Sequence, residues 1–328
     1  LDVLVLVLRG LSLEHSRRAL TRTLGHLRGL NASGQYTLAS AERFRALSSD
    51  GAASLRVLLQ GSPAAADEHG ETWPTLWDSY RQWGYVSMFG EAGCGTAMMR
   101  PMGYSLEAPP PADHVLVEPF CTLDAQLRER LQSAAAMPPE GAEGGGGEPC
   151  VGQAPAWQHL LNYTRRFLRA YPSLPKLAVA AFPAPPQGSG AGWPHKAADL
   201  MLRRTLRSVL RRQPRTAVLI VSDTGAREDA RRPHDTHSAH EWARRALEGA
   251  APALHILLPA RAAAAASPAA HAALAANAAG VVASVADVHA TLRELPQLQS
   301  RLQSRLQGGL QGGLQGRLQR EQQLQSGG

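Results

Sequence analysis

The stretch TAVLIVSDTG, residues 216–225, decides how this chain is read. Its first six residues are β-branched or apolar without interruption. That suits a strand covered on both faces of a parallel sheet, where the polar alternation of a half-exposed strand disappears. The strand runs straight into Ser222, Asp223, Thr224 and Gly225. An acidic side chain at the carboxyl end of a central strand is placed to bind a metal or orient a nucleophile. An aspartate that merely caps the turn before Gly225 is an equal alternative.

The same pattern repeats on either side of this stretch. Residues 2–8 (DVLVLVL), 85–89 (YVSMF), 177–182 (LAVAAF) and 254–258 (LHILL) read as further strands. Apolar residues at helical spacing predict helices over 11–30, 73–83, 153–171, 197–212, 269–279 and 285–295. Gly84 closes the second of these, and Pro172 and Pro175 close the third. Strand and helix in alternation predict an α/β fold with a mostly parallel sheet and helices on both faces. Ligands in such folds sit beyond the carboxyl ends of the strands. The loops after Leu8, Phe89, Phe182 and Val221 are therefore the ones to inspect.

Two segments fall outside this pattern. Residues 137–150 (MPPEGAEGGGGEPC) read as a flexible Pro/Gly/Glu loop insert. From residue 298 a Leu-Gln pair recurs every four residues, a period that drifts around a helix by about 40° per step and leaves no straight apolar stripe. Glycines at 308, 309, 312, 313 and 316 further oppose helix formation. The organisation read from this is one domain over 1–295 and a low-complexity, disordered tail over 296–328, with a self-associating helix as the lesser reading.

Composition narrows the function classes. The chain has 328 residues, 44% of them hydrophobic and 19% charged, enough apolar content for a packed core. Its net charge is +7, and all but two of its 34 basic residues are arginine, the exceptions being Lys176 and Lys196. The arginines are scattered and aromatics make up only 5%, which speaks against a nucleic-acid partner. The arginine excess reads first as a bias of the coding DNA and second as a polyanion-binding surface. The tail carries Arg301, Arg305, Arg317 and Arg320 against Glu321, so +3 of the charge belongs there and +4 to the remainder. No apolar run approaches the ~20 residues that cross a bilayer. The chain opens inside an apolar strand with no leader in view, which suggests a targeting segment upstream. Three cysteines allow one disulfide and one free thiol, and Cys121–Cys150 is the expected pair because both flank the loop-like insert. Asn31 and Asn162 head glycosylation triplets, in keeping with a secretory or extracellular location.

TAVLIVSDTG resembles the strand-plus-ligand motif of the alkaline phosphatase and sulfatase superfamily, which usually ends Ser-Asp-His-Gly. Further blocks resemble, in order, those of its branch known as the domain of unknown function 229 family: DVLVLVLRGLS, WDSYRQWGYVSMFGEAGC, PPPADHVLVEPF, CVGQAPAWQHLLNYTRRFLRAYPSLPKLAVAAF, PALHILLP and NAAGVVASVADVHATLREL. The resemblance covers most of residues 1–295. It implies an alkaline-phosphatase-like three-layer α/β/α sandwich holding one or two divalent metals (zinc, calcium or manganese) and a hydroxyl nucleophile. Such a site acts on phosphate or sulfate esters, because a metal lowers the nucleophile's pKa and neutralises the oxyanion.

Carried over residue by residue, the resemblance is incomplete. The aspartate ligand of the first strand falls at Arg9, a fixed cation that would repel a metal. The nucleophile motif falls on residues 35–38, where Thr37 supplies the hydroxyl. Asp223 is retained as a metal ligand, but the imidazole that should follow it falls at Thr224. His195 is a remnant ligand, with Asp199 on the helix after it, and Asp287 and His289 fall in a block that is well kept. Two readings lead: a degenerate, non-catalytic member, or a hydrolase whose substitute ligands come from His234, His237 and His240. The bland alternative for that histidine run is a solvated loop, and a decaying gene product is a third explanation for the losses. Arg9, with Thr37 and Arg227, also suggests a module that binds phospho- or sulfo-ester anions by charge-assisted hydrogen bonds.

Overall fold

The computed structural model describes residues 1–48, 51–64, 73–94, 98–133, 150–184, 193–225, 239–265, 268–298 and 300. Along the chain these form β1 (Asp2–Leu8), α1 (Leu13–Ala19), α2 (Thr21–Ala32), β2 (Tyr36–Ser40), β3 (Phe44–Arg45), α3 (Ala52–Gln60), α4 (Leu76–Gln82), β4 (Val86–Glu91), β5 (His114–Leu116) and α5 (Glu118–Ser133). There follow β6 (Cys150–Val151), β7 (Ala154–Pro155), α6 (Ala156–Ala170), β8 (Lys176–Phe182), α7 (Trp193–Arg212), β9 (Thr216–Val221), α8 (Ala239–Ala250), β10 (Leu254–Pro259), α9 (Ala260–Ala265), α10 (Pro268–Ala279), β11 (Ala283–Ser284) and a last helix, α11, over 285–298.

Seven strands make one sheet in the order β2-β10-β9-β1-β8-β4-β5. All neighbours from β9 to β5 pair in parallel, and β10 runs antiparallel to both β9 and β2. The sheet is therefore mostly parallel. Side-chain alternation along the central strands divides two cores. Val3, Val5 and Val7 of β1 and Leu219 and Val221 of β9 point to one face, where they meet Leu55 and Leu58 of α3, Trp77 and Tyr80 of α4 and Leu292 of α11. Leu4, Leu6 and Leu8 point to the other, against Leu24 of α2, Leu160 and Phe167 of α6 and Leu206 of α7. Coverage on both faces explains why β1 has no polar residue within its run after Asp2. The result is the three-layer α/β/α arrangement.

The expected elements hold with instructive shifts. The single helix expected over 11–30 is two, because the chain leaves helical geometry at Leu20 and restarts where Asp199 of α7 accepts from the amides of Arg22 and Thr23. Ser12 caps α1 through the amide of His15, and Thr75 and Asp78 close α4 with a reciprocal capping box. Two elements that matter for the site, β2 and α3, lie in a region where no element was expected.

The disulfide also differs from expectation. Cys121 pairs with Cys94, not with Cys150. β4 and β5 are neighbouring parallel strands, so Cys94, three residues past β4, and Cys121, in the first turn of α5, are brought to a Cα separation of 4.4 Å, within reach of a disulfide. Cys150 begins the separate β6–β7 hairpin before α6. The insert and the Leu-Gln repeat lie largely outside the described residues (134–149, 299 and 301–328). Among the described residues no helix is long and apolar enough to cross a membrane.

One buried imidazole ties the antiparallel part of the sheet to α1. His255 on β10 is held by the hydroxyls of Ser16 (2.9 Å) and Ser40 (2.8 Å). Burial, helped by the charges of Arg17 and Arg28, pushes its pKa down from 6.5 to about 4. As pH falls from about 6.5 towards 4, the unfolded chain takes up a proton at this position that the folded chain refuses, so stability falls by about 3 kcal/mol in total. Thermal melts between pH 7 and pH 4 should show this loss, and His255→Gln should flatten it.

Candidate functional site

The loops after β1 and β9 meet at the carboxyl end of the sheet, because their strands are neighbours in register from Asp2↔Thr216 to Val7↔Val221. Arg9 and Asp223 each stand two residues past the last paired position, on the same face as Val7 and Val221. Their side chains touch. Arg9 Nε donates to Asp223 Oδ2 at 2.7 Å, with the arginine side chain 7% exposed and the carboxylate fully buried. Gly10 follows in the left-handed region (φ 68°), which turns its amide onto Asp223 Oδ1 at 3.1 Å. Thr224 Oγ1 reaches the same oxygen at 3.5 Å. Ser222 locks the corner: its hydroxyl accepts from the amide of Leu11 at 3.0 Å and donates to the carbonyl of Thr224 at 2.6 Å.

A third segment presses onto the carboxylate. Gly51, the N-cap of α3, has φ 78°, and a methyl group built on its Cα would overlap Asp223 Oδ2. The N-terminus of α3 thus abuts Asp223, and the favourable charge of a helix start adds to that of Arg9. No residue with a side chain fits at position 51 without displacing Asp223. Both oxygens of Asp223 are engaged, one by a permanent cation. These residues do not fit a divalent metal, which needs several anionic or imidazole donors free to face it. Among the described residues no group of three or more His, Cys, Asp or Glu side chains is gathered for one.

The other expected site residues are dispersed. Thr37 does not reach this corner. It pairs with Leu258 on β10, whereas Leu254 is the β10 residue opposite Val221. Four residues of antiparallel strand and two strand spacings separate Thr37 from the Asp223 end, about 14 Å along the strands and 10 Å across them. His195 lies in the first turn of α7 and His240 near the start of α8, their side chains outside the described residues. His234, His237 and Arg227 are also outside them. Asp199 caps α2, Asp287 accepts from the amide of Ser284 to start α11, and His289 binds the carbonyl of Leu58 at the end of α3. All three are employed in holding helices. Asn31 is exposed near the end of α2, and Asn162 is half-buried on α6.

The element that the sequence reading missed is α3. Its signal was present: Leu55, Leu58 and Leu59 at helical spacing, bounded by Gly51 and Gly61. A second missed residue is Glu91, fully buried at the end of β4, whose carboxylate accepts from the amides of Met98 and Met99 and anchors the loop beside the disulfide.

Breaking the pair should be costly, because the surviving charge is left buried. Arg9→Ala and Asp223→Ala should each destabilise by about 3–5 kcal/mol, and the double variant by clearly less than their sum. Urea denaturation of the three variants measures the coupling. Gly51→Ser should also destabilise, by strain and by collision with Asp223.

A family model described as "Protein of unknown function (DUF229)" matches residues 54–311. No curated protein matches the chain. Among solved structures, the C-terminal periplasmic domain of EcEptC from Escherichia coli, in complex with Zn, is similar at a TM-score of 0.51 and 10% identity, over 90% of this chain and 82% of that one. Ps i-CgsB in complex with k-i-k-neocarrahexaose is similar at 0.51 and 12%, over 90% and 72%. The alkaline phosphatase of the Antarctic bacterium TAB5 gives 0.45 and 8%, over 90% and 98%. With a match over most of its length and a mostly parallel sheet between two helix layers, the chain belongs to the DUF229 family and has the fold of the alkaline phosphatase/sulfatase-like superfamily.

Proposed function

We propose that this domain, over residues 1–295, is a non-catalytic member of its superfamily, with an internal ion pair where a metal-ligand carboxylate would work. The observation that carries the reading is the buried 2.7 Å contact between Arg9 and Asp223. A metal at Asp223 would have to compete with a guanidinium already in contact with the carboxylate. The crowding at Gly51 supports the same reading, because a side chain at position 51 would collide with Asp223. It also weighs against an ester-anion module at Arg9. The Nε of Arg9 and the amide of Gly10 already serve an internal carboxylate, with which an external anion would have to compete.

The Cys94–Cys121 disulfide supports a secretory or extracellular location, since such bonds persist in oxidising compartments. Asn31, being exposed, is the better glycan acceptor of the two.

The test uses the full chain, dialysed against zinc, calcium or manganese and then freed of loose ions. Elemental analysis should find no stoichiometric metal. Aryl phosphate, aryl phosphodiester and aryl sulfate should turn over no faster than in buffer. Retained metal together with turnover that disappears in Asp223→Asn or His237→Ala would overturn the proposal in favour of a hydrolase with substitute ligands.

A further inference from the structure

The arginines that look scattered along the chain are collected by the fold. α2, α6 and α7 lie side by side over the second core. Asp199 of α7 caps α2, and Gln213, just past α7, donates to the carbonyl of Leu168 on α6. These three helices carry eleven of the 34 basic residues but one of the 27 acidic ones. That acid is Asp199, buried beneath the layer.

The outward side of the layer is rich in arginine. Arg203, Arg207 and Arg211 recur every four residues on α7, which keeps them on one stripe about 12 Å long, with Arg204 beside it. α6 adds Arg166 and Arg169, both exposed. None of these six has a carboxylate within ion-pair distance among the described residues. Arg203 and Arg207 also converge on His26 of α2, whose pKa is held below its ordinary value by burial and then by these two charges. The Nε2 atom of His26 is buried there without a hydrogen-bond partner. Like charges crowded in this way repel one another, and an anion bound across them removes the repulsion.

We propose that the α2–α6–α7 face docks a linear sulfated polysaccharide. Charge complementarity calls for a polyanion, and three features select this one. The face is arginine-rich, and a guanidinium fork matches the paired oxygens of sulfate and carboxylate. Among the described residues, none of the large exposed hydrophobics lies on α2, α6 or α7, so these offer no aromatic platform for nucleic-acid bases and no apolar wedge for a bilayer. The disulfide belongs to compartments where sulfated polysaccharides are met. The proposal concerns the face opposite the Arg9–Asp223 side of the sheet and stands whether or not that site is catalytic.

The experiment measures binding of the full chain to a heparin dodecasaccharide across a salt series. The intact protein should bind at about 0.15 M NaCl. R203Q/R207Q/R211Q should bind about tenfold or more weakly, with the slope of log affinity against log salt reduced by about 2–3 and the melting temperature unchanged. The triple Arg→Lys variant should keep the slope and lose part of the affinity. Fully desulfated heparin should not bind. No binding by the intact protein would overturn the proposal. So would binding that survives the Gln variant yet vanishes in R301Q/R305Q/R317Q/R320Q. Duplex DNA or phosphatidylserine vesicles bound as tightly as heparin would overturn the choice of partner.

Discussion

The buried ion pair between Arg9 and Asp223 organises the carboxyl end of the sheet. Arg9 stands one residue beyond β1 and Asp223 two beyond β9, and both side chains are buried. Their union holds the loops after β1 and β9 together, draws the amide of Gly10 inward and lets the start of α3 approach to contact. In a metal-dependent member of this superfamily a dication would balance the carboxylate and leave room for a substrate. Here the guanidinium of Arg9 lies against the carboxylate, and Gly51 of α3 packs onto it.

The sheet makes this arrangement possible by parity. β1 and β9 are in register, so residues two positions past Val7 and Val221 point to the same face. Within β1 the next side chain before Arg9, Leu8, points into the opposite core. The same parity assigns α3, α4 and α11 to the face of the ion pair and α2, α6 and α7 to the other. The two sides therefore have different chemistry: one closed around an internal salt bridge, the other with an arginine-rich exterior.

Legibility in the sequence followed burial. β1 and β9 are readable at both their ends, and β8 and β10 within a residue, because strands covered on both faces announce themselves as unbroken apolar runs. β2 is not, since it is an edge strand only partly covered and shows no such run. Sequence order brings the nucleophile motif to Thr37, and the antiparallel register of β10 sets that residue apart from the Asp223 end of the sheet. Gly51 carries no side chain to attract notice, yet its closeness to Asp223 matters because of what it excludes. The disulfide was misassigned for a related reason: nearness of Cys121 to the insert in sequence says nothing about which strand ends lie side by side.

By itself the sequence determined the alternation of strands and helices, the mostly parallel sheet and the family, and it set Arg9 and Asp223 at the ends of two apolar strands. These depend on local periodicity and on residue identity at motif positions, both of which are one-dimensional properties. Only the tertiary structure decided that Arg9 meets Asp223 directly, that the start of α3 packs onto that carboxylate, that Cys94 is the partner of Cys121, and that the arginine-bearing helices α6 and α7 lie side by side. Each of these is a contact between residues far apart in the chain, and such contacts are set by strand order, register and side-chain parity.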